Sequence, residues 1–481
     1  MAYLVLDDFP SGLDLRKDAL TSPAGTFRRL NNGFVTAGGQ IEKRKAFTAL
    51  GNLPANNTKG VAFVNGALTV FGTLAPGSVG TLPSHVSYAQ ISPSGGVTID
   101  RVLDVAVFGM GIYLIARMSD NSIRHFWNGT QLTISGLTTA ATSARAHKRK
   151  MYLTDGRNLR FSAVNTPNDF TTTANGAGII DVTTEDAGSA DLVGLEQYYS
   201  TLALLGRNSI QIWAMDPDPA QNSIVQVLGN IGLVAPNAVS RYGNGDVLFL
   251  SDTGIRSLRA RDSSNAAVLN DIGSPVDEQI NAKRSVLTTT DVERINAFVD
   301  PLTGQLWFIW GNEVHVLAQY PNSKVTAWST FVLPFIPEYS LVANSRIVFR
   351  VGEQLFIYGS VPPSGSPFDP NTPIGTSAAL YDATTVELVT PFISAGKPAT
   401  NKKWQGIDVS ATGTWEVYVN PSPQFPEAWT KIATVTNPTY DDGRIPIDMD
   451  GTHIAVRFVS IGSVKHTLAG YVLHYDDGSE D

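Results

Sequence analysis

The sequence predicts an all-β protein: a β-propeller-like repeat domain with an N-terminal extended arm and a C-terminal β-sandwich. Three observations predict it. Strand-like runs of roughly four to eight residues, rich in Val, Ile, Phe, Tyr and Thr, are punctuated by Gly, Asn and Asp along nearly the whole chain. These runs pair into hairpins that recur about every 40–50 residues, the spacing of propeller blades. Near the C-terminus the runs change to strict alternation of apolar and polar residues, which marks sheets with one buried and one wet face. The organisation expected is an arm over residues 1–50, a propeller-like domain over 51–385 and a sandwich over 386–481.

The hairpins carry the case. In the first, Gly60–Val64 turns at Asn65-Gly66 into Ala67–Gly72, and Asn-Gly signals a type I′ turn because both central residues need positive φ. Asp104–Phe108 turns into Ile112–Ile115, then Ile123–Trp127 and a second Asn-Gly at 128–129. Later copies pair Met151–Thr154 with Leu159–Ser162, Leu202–Leu205 with Ser209–Trp213, and Asp246–Leu250 with Ile255–Leu258. Two more pair Asn296–Val299 with Gln305–Trp310 and Ile347–Arg350 with Leu355–Tyr358. The count suggests about six to seven blades, within the usual range of four to eight. No copy carries a GH…WD or kelch pattern, so a set of β-sandwiches is the rival architecture. Trp307 and Trp310 fall on opposite sides of one strand, which suits one to a core and the other to an interface.

One helix is predicted, over Ser274–Asn281, with Ser274 as cap, Pro275 in the first position, and Asp277 and Glu278 near the positive end. Beyond the Pro/Ser/Gly-rich stretch 361–367, Gln405–Val409, Trp415–Val419, Ile454–Val459 and Tyr471–Tyr475 supply the alternating strands. The final acidic residues 476–481 read as a solvated tail.

Composition narrows the function. Of 481 residues, 43% are hydrophobic and none is cysteine, which removes disulfides, thiol nucleophiles and cysteine-ligated zinc. No run approaches the roughly 20 apolar residues of a spanning helix. The N-terminus has neither the basic start nor the cleavage site of a signal peptide, so synthesis in a cytoplasm without classical export is expected. With 35 basic against 43 acidic residues the net charge is −8, unlike a protein that grips phosphates. The basic run Arg145–Lys150 reads as a solvated hairpin edge. The seven histidines are scattered, and no HExxH, GxSxG, phosphate loop or dinucleotide fingerprint is present. The carboxylate pairs Asp7-Asp8, Asp216/Asp218 and Asp441-Asp442 read as surface and turns, as do Ser251–Gly254 and Asp448–Gly451. No catalytic residue, metal site or cofactor is expected, and the chain reads as a structural protein rather than an enzyme.

The most informative segment is the first. Phe9-Pro10-Ser11-Gly12-Leu13-Asp14-Leu15-Arg16 is followed by Ser22-Pro23 through Arg28-Arg29-Leu30-Asn31-Asn32-Gly33, and then by Gln40-Ile41-Glu42-Lys43-Arg44-Lys45. Little periodicity and many turn residues describe an extended arm that must lean on something. The order Gly-Leu, Arg, Pro, Leu-x-Asn, Gly, Ile-x-Lys-Arg resembles the start of the tail nozzle proteins of short-tailed bacteriophages, also called tail tubular or packaged-DNA stabilisation proteins. Leu248–Ile255, Thr326–Ser329 and the closing sandwich are similar to parts of the same family.

The resemblance implies a virion tail protein, assembled in the host bacterial cytoplasm as a homo-hexameric ring. That ring would sit below the portal and adaptor, adjoin tail fibre or tailspike/needle proteins, enclose double-stranded DNA, retain it, and release it on host contact. An acidic lumen would let phosphates slide. Candidate contacts with the adaptor or a neighbouring subunit are Arg16, Arg28, Arg29, Lys43, Arg44 and Lys45, unless these charges are merely solvated. The alternatives are a propeller carbohydrate-active enzyme and a monomeric binding module.

Overall fold

The structure is a computed structural model that describes residues 2–185, 191–243, 245–260, 267–359, 367–368, 380–440 and 443–477. Most of the Pro/Ser/Gly-rich stretch, the Asp441-Asp442 pair and the last four residues of the acidic tail lie outside the described residues.

Seven blades of three or four mostly antiparallel strands stand around one axis, six of them as separate sheets and one as part of a larger sheet. Their innermost strands are Lys59–Val64, Ile99–Phe108, Ala144–His147, Leu192–Tyr198, Val239–Tyr242, Asn296–Val299 and Tyr339–Ala343. Each packs beside the next, and the seventh returns to the first, so the ring is closed. This is a seven-bladed β-propeller. Blade one has three strands, the last of them parallel to its neighbour. Blade seven borrows its outermost strand, Phe47–Asn52, from ahead of blade one, where it pairs with Gln354–Tyr358. The ring is thus fastened by the chain on both sides of the closure.

Local chemistry explains the hairpins. Asn65 and Gly66 both take positive φ, 50° and 80°, as the I′ turn requires. Lys148 and Arg149 make the corresponding turn of blade three with φ of 40° and 68°, without help from Asn or Gly. The run Arg145–Lys150 is therefore corrected: Ala144–His147 is an innermost strand, not a solvated edge. Lys150 is buried, donating to Gly176 O at 2.7 Å with its ammonium 4.8 Å from the Phe161 ring centre.

Two further expectations change. Trp307 and Trp310 do face opposite sides, but both are buried in their own subunit, each in a different apolar cluster. Asp448–Gly451 belongs to the strand Ile445–Gly451 rather than a turn.

The helix at Ser274 begins as a short 3₁₀ turn, continues as an α-helix over Asp277–Arg284, and has no side-chain cap from Ser274. Arg256 of blade five holds this helix through Asp277 at 2.9 Å. A second helix, Thr289–Arg294, was not expected. Its capping box, with Thr288 accepting from the Asp291 amide and the Asp291 carboxylate accepting from the Thr288 amide, was legible as T-x-x-D.

The chain's two ends build the sandwich together. One sheet pairs Tyr-rich Thr467–Asp477 with Lys402–Thr412, Ala2–Leu6 and Ile41–Lys43. The other runs from Glu387–Val389 through Ala455–Ile461 and Thr414–Asn420 to Thr430–Val435. Arg29–Asn31 lies between this second sheet and the outer strand of blade six, Val325–Val332, making one nine-stranded sheet that spans propeller and sandwich. The core is equally continuous: Phe9, Leu13, Phe27 and Leu30 of the first segment pack in one cluster with Trp328 of blade six and Phe458 and Tyr471 of the sandwich.

Candidate functional site

One cavity lies on the propeller axis. It holds about 330 Å³ and is walled by innermost strands, with Asp104, Arg145, Glu196, Asn237, Asn296 and Tyr339 on its surface. A second cavity of about 440 Å³ opens at one end, where the innermost strands of blades one, two and seven begin. The two share Glu293, Arg294, Glu338 and Tyr339. Innermost strands converge on the axis, so polar residues placed there by the strand period of two meet one another across blades.

Pairing neutralises much of this charge. Arg145 binds Glu196 at 3.0 Å and donates to Leu195 O at 3.1 Å, joining blades three and four. Asp104 accepts the Ala144 amide at 2.8 Å, joining blades two and three. Burial pushes the Asp104 carboxyl up from its ordinary value, and the Arg145 charge and the amides only partly oppose that. At the mouth, Glu293 sits between Arg101, 3.6 Å away, and Arg117, which it binds closely. The Tyr339 hydroxyl accepts the Val102 amide at 2.9 Å, and burial pushes its pKa up to about 12. Asn237 donates to Leu103 O and Asn296 to Ser340 O, stitching blades five to two and six to seven.

Charged and hydrogen-bonding groups from several blades face both cavities. None of the residues walling either cavity is a histidine. Among the described residues no cluster of His, Asp and Glu is arranged to hold a metal ion. Glu293 and Arg294 escape sequence reasoning because they sit on the short helix that was not predicted. Nothing local in the sequence marks Asp104, Arg145 or Glu196 as neighbours, since each belongs to a different blade.

The six candidate contact residues divide. Arg16 pairs with Asp14 at 2.7 Å and keeps about half its side chain in solvent. Arg29 pairs with Glu387 at 2.9 Å and is 43% exposed. Arg28 donates to the carbonyls of Asp14 and Lys17 and lines a small cleft with Arg29, Phe392 and Trp429. Lys45 is half-buried and its amide donates to the Tyr358 hydroxyl at 3.1 Å.

Lys43 and Arg44 are interior, which corrects their place in the set. Lys43 donates to Asp382 O and Gly462 O at 2.8 and 2.7 Å. Arg44 binds Asp382 at 2.9 Å, Thr384 Oγ1 at 2.9 Å and Asn32 Oδ1 at 3.2 Å, with its guanidinium 4.7 Å from the Phe47 ring centre. Side chains buried in this way do not reach the surface that a neighbour would meet. Their work is to tie the first segment to the sandwich.

No protein-family profile matches the chain, and no curated protein does. Solved structures that are similar include the WD40 domain of Pan2 from Neurospora crassa, at 10% identity and a TM-score of 0.43, covering 68% of this chain and 98% of that one. BamB from Moraxella catarrhalis is similar at 10% identity and a TM-score of 0.32, covering 66% of this chain and 97% of that one.

Proposed function

We propose that the chain is a structural subunit of a phage tail nozzle, which closes with five further copies into a ring below the portal and adaptor. In that setting the ring encloses the DNA channel, retains the packaged genome and lets it leave. The observation that carries this reading is the first segment. Its ordered motif is similar to the start of the nozzle proteins, and several residues of the segment that carries it have a structural task in this chain. Phe9, Leu13, Phe27 and Leu30 fill the joint between propeller and sandwich, and Asn32 and Arg44 bridge the same joint. A propeller and a sandwich fused by one sheet and one core make a stiff block, which suits a part that bears load. The net charge of −8 suits a wall past which phosphates must slide.

Arg16 and Arg29 are the candidates for contact with the adaptor, being half-exposed on the first segment. Capture of the purified chain on an adaptor ring tests this. The double variant Arg16→Gln/Arg29→Gln should be captured several-fold less well while keeping its melting temperature within a few degrees, since both arginines are about half-exposed and ion pairs open to solvent on one side contribute about 1 kcal/mol each to folding. Undiminished capture would remove these two residues from the interface.

The axial cavity favours a second reading, a monomeric module that binds a ligand on the propeller axis. The two readings differ in the mass of the native particle.

A further inference from the structure

The mouth of the propeller axis carries cations that the chain itself leaves incompletely satisfied. Lys59 of blade one, Arg101 and Arg117 of blade two, and Arg294 of the helix Thr289–Arg294 all line the cavity of about 440 Å³, together with the Thr289 and Thr290 residues at its rim. The Nε atoms of Arg117 and Arg294 are buried without a hydrogen-bond partner, and that of Arg101, 3.6 Å from Glu293, lies beyond hydrogen-bond reach although its guanidinium donates to the carbonyls of Glu293 and Glu338. A guanidinium Nε–H can only donate, and leaving such a donor buried without an acceptor is costly.

The acceptors within the chain do not meet this demand. Both oxygens of Glu293 face Arg101 and Arg117. Among the described residues Arg294 and Lys59 have no ion pair. Two further carboxylates, Asp100 on the exposed rim and Glu338, line the same cavity and oppose an anion there. Four cations against three carboxylates line the cavity, and one carboxylate is already shared by two arginines; Lys59, and Arg294 whose charge only Asp291 of its own helix faces from outside the cavity lining, are the least compensated positive groups.

We propose that this mouth binds one phosphate-class oxyanion, either inorganic phosphate or the terminal phosphate of a small monoester. An oxyanion presents only acceptors, spread over a compact head, and guanidinium forks match that geometry better than they match water. The site takes its parts from blades one, two and seven and from the helix leading into blade six. Filling it fastens the ring at its closure, so binding raises thermal stability. The proposal stands apart from the ring-forming reading and would hold for a monomer.

The test uses the full chain, titrated calorimetrically with inorganic phosphate, then with a sugar monophosphate and a nucleoside monophosphate, at fixed ionic strength. The expected result is saturable binding of one ion per chain. Arg294→Gln should weaken it by roughly tenfold or more, because it removes a charged donor. Lys59→Gln should weaken it less, and Glu338→Gln should tighten it by removing a like charge. Tighter binding of either monoester than of phosphate identifies the source as an organic phosphate; equal or weaker binding identifies the free ion. Absence of saturable binding would overturn the proposal, as would binding that ignores both Arg294→Gln and Glu338→Gln. Should Arg294→Gln fail to fold, the opposed shifts of Lys59→Gln and Glu338→Gln decide the matter.

Discussion

Four buried titratable residues, three histidines and one aspartate, set how the fold responds to pH. His315 lies in blade six between Phe308 and Thr330 on adjacent strands, and neither ring nitrogen has a hydrogen-bond partner. Burial, with a smaller push from Lys283, lowers its pKa to about 3. His125 and His147 are lowered to about 4, in both cases mainly by burial. A histidine whose folded pKa is depressed binds its proton first in the unfolded chain. Stability is therefore full above the unfolded value near 6.5, and each residue forfeits up to about 1.4 kcal/mol per pH unit as the pH falls towards its folded pKa. Replacing His315 by Leu should make the acid loss shallower between pH 6 and pH 4, as read from urea midpoints at each pH. An unchanged slope would show that His315 is not the cause.

Asp246 has the opposite sign. Burial pushes its carboxyl up to about 6, and its Oδ1 lacks a hydrogen bond. The folded state holds the proton more tightly than the unfolded chain, so this residue erodes stability as the pH rises from about 4 to 6. Asp246→Asn should stabilise the protein at pH 7, by about 1–3 kcal/mol, and give no gain below pH 4. None of this was legible in the sequence: histidines and aspartates scattered along strands look alike until the fold decides which are buried.

At the scale of elements, the hairpins and their turns were readable because Asn, Gly and Asp fix local geometry that survives folding. The joint between arm and blade was not, because it depends on approach between distant segments. Gly12 shows the physics. It has φ of +58°, and a Cβ there would lie 2.5 Å from Trp328 O, the same carbonyl that accepts the Leu13 amide at 2.8 Å. Gly12→Ala should cost about 1–3 kcal/mol through the left-handed backbone and the clash, lowering the melting temperature in calorimetry. A melting temperature equal to the parent's would mean the arm can detach without loss.

Arg44 makes the companion case. Read as a candidate contact with another subunit, it is instead a fully buried cation whose partner Asp382 is partly exposed. Arg44→Ala should destabilise by about 3 kcal/mol, because it removes the counter-ion of Asp382 and one donor each from Thr384 Oγ1 and Asn32 Oδ1. Basic residues in a turn-rich segment look solvated in sequence. Only the sandwich closing over them shows otherwise.

At the scale of the molecule, the all-β class, the propeller and the C-terminal sandwich were legible from periodicity alone. Each of the seven hairpins falls in its own blade; the closure was hidden, because Phe47–Asn52 stands among arm residues in sequence and in blade seven in the fold. The axial cavity was invisible for the same reason that contact between blades is: its residues come from positions separated by tens to hundreds of places in the chain. Because one sheet and one core join propeller to sandwich, the chain should unfold in a single calorimetric transition. Two transitions would mean that the nine-stranded sheet is not a continuous load path.

The most direct measurement is the native mass and image of the purified chain, by light scattering and negative-stain microscopy, alone and with an adaptor ring. The account predicts six-subunit rings, formed either spontaneously or on the adaptor. A persistent monomer that ignores the adaptor would contradict it, and would leave the propeller axis as the place to look for function.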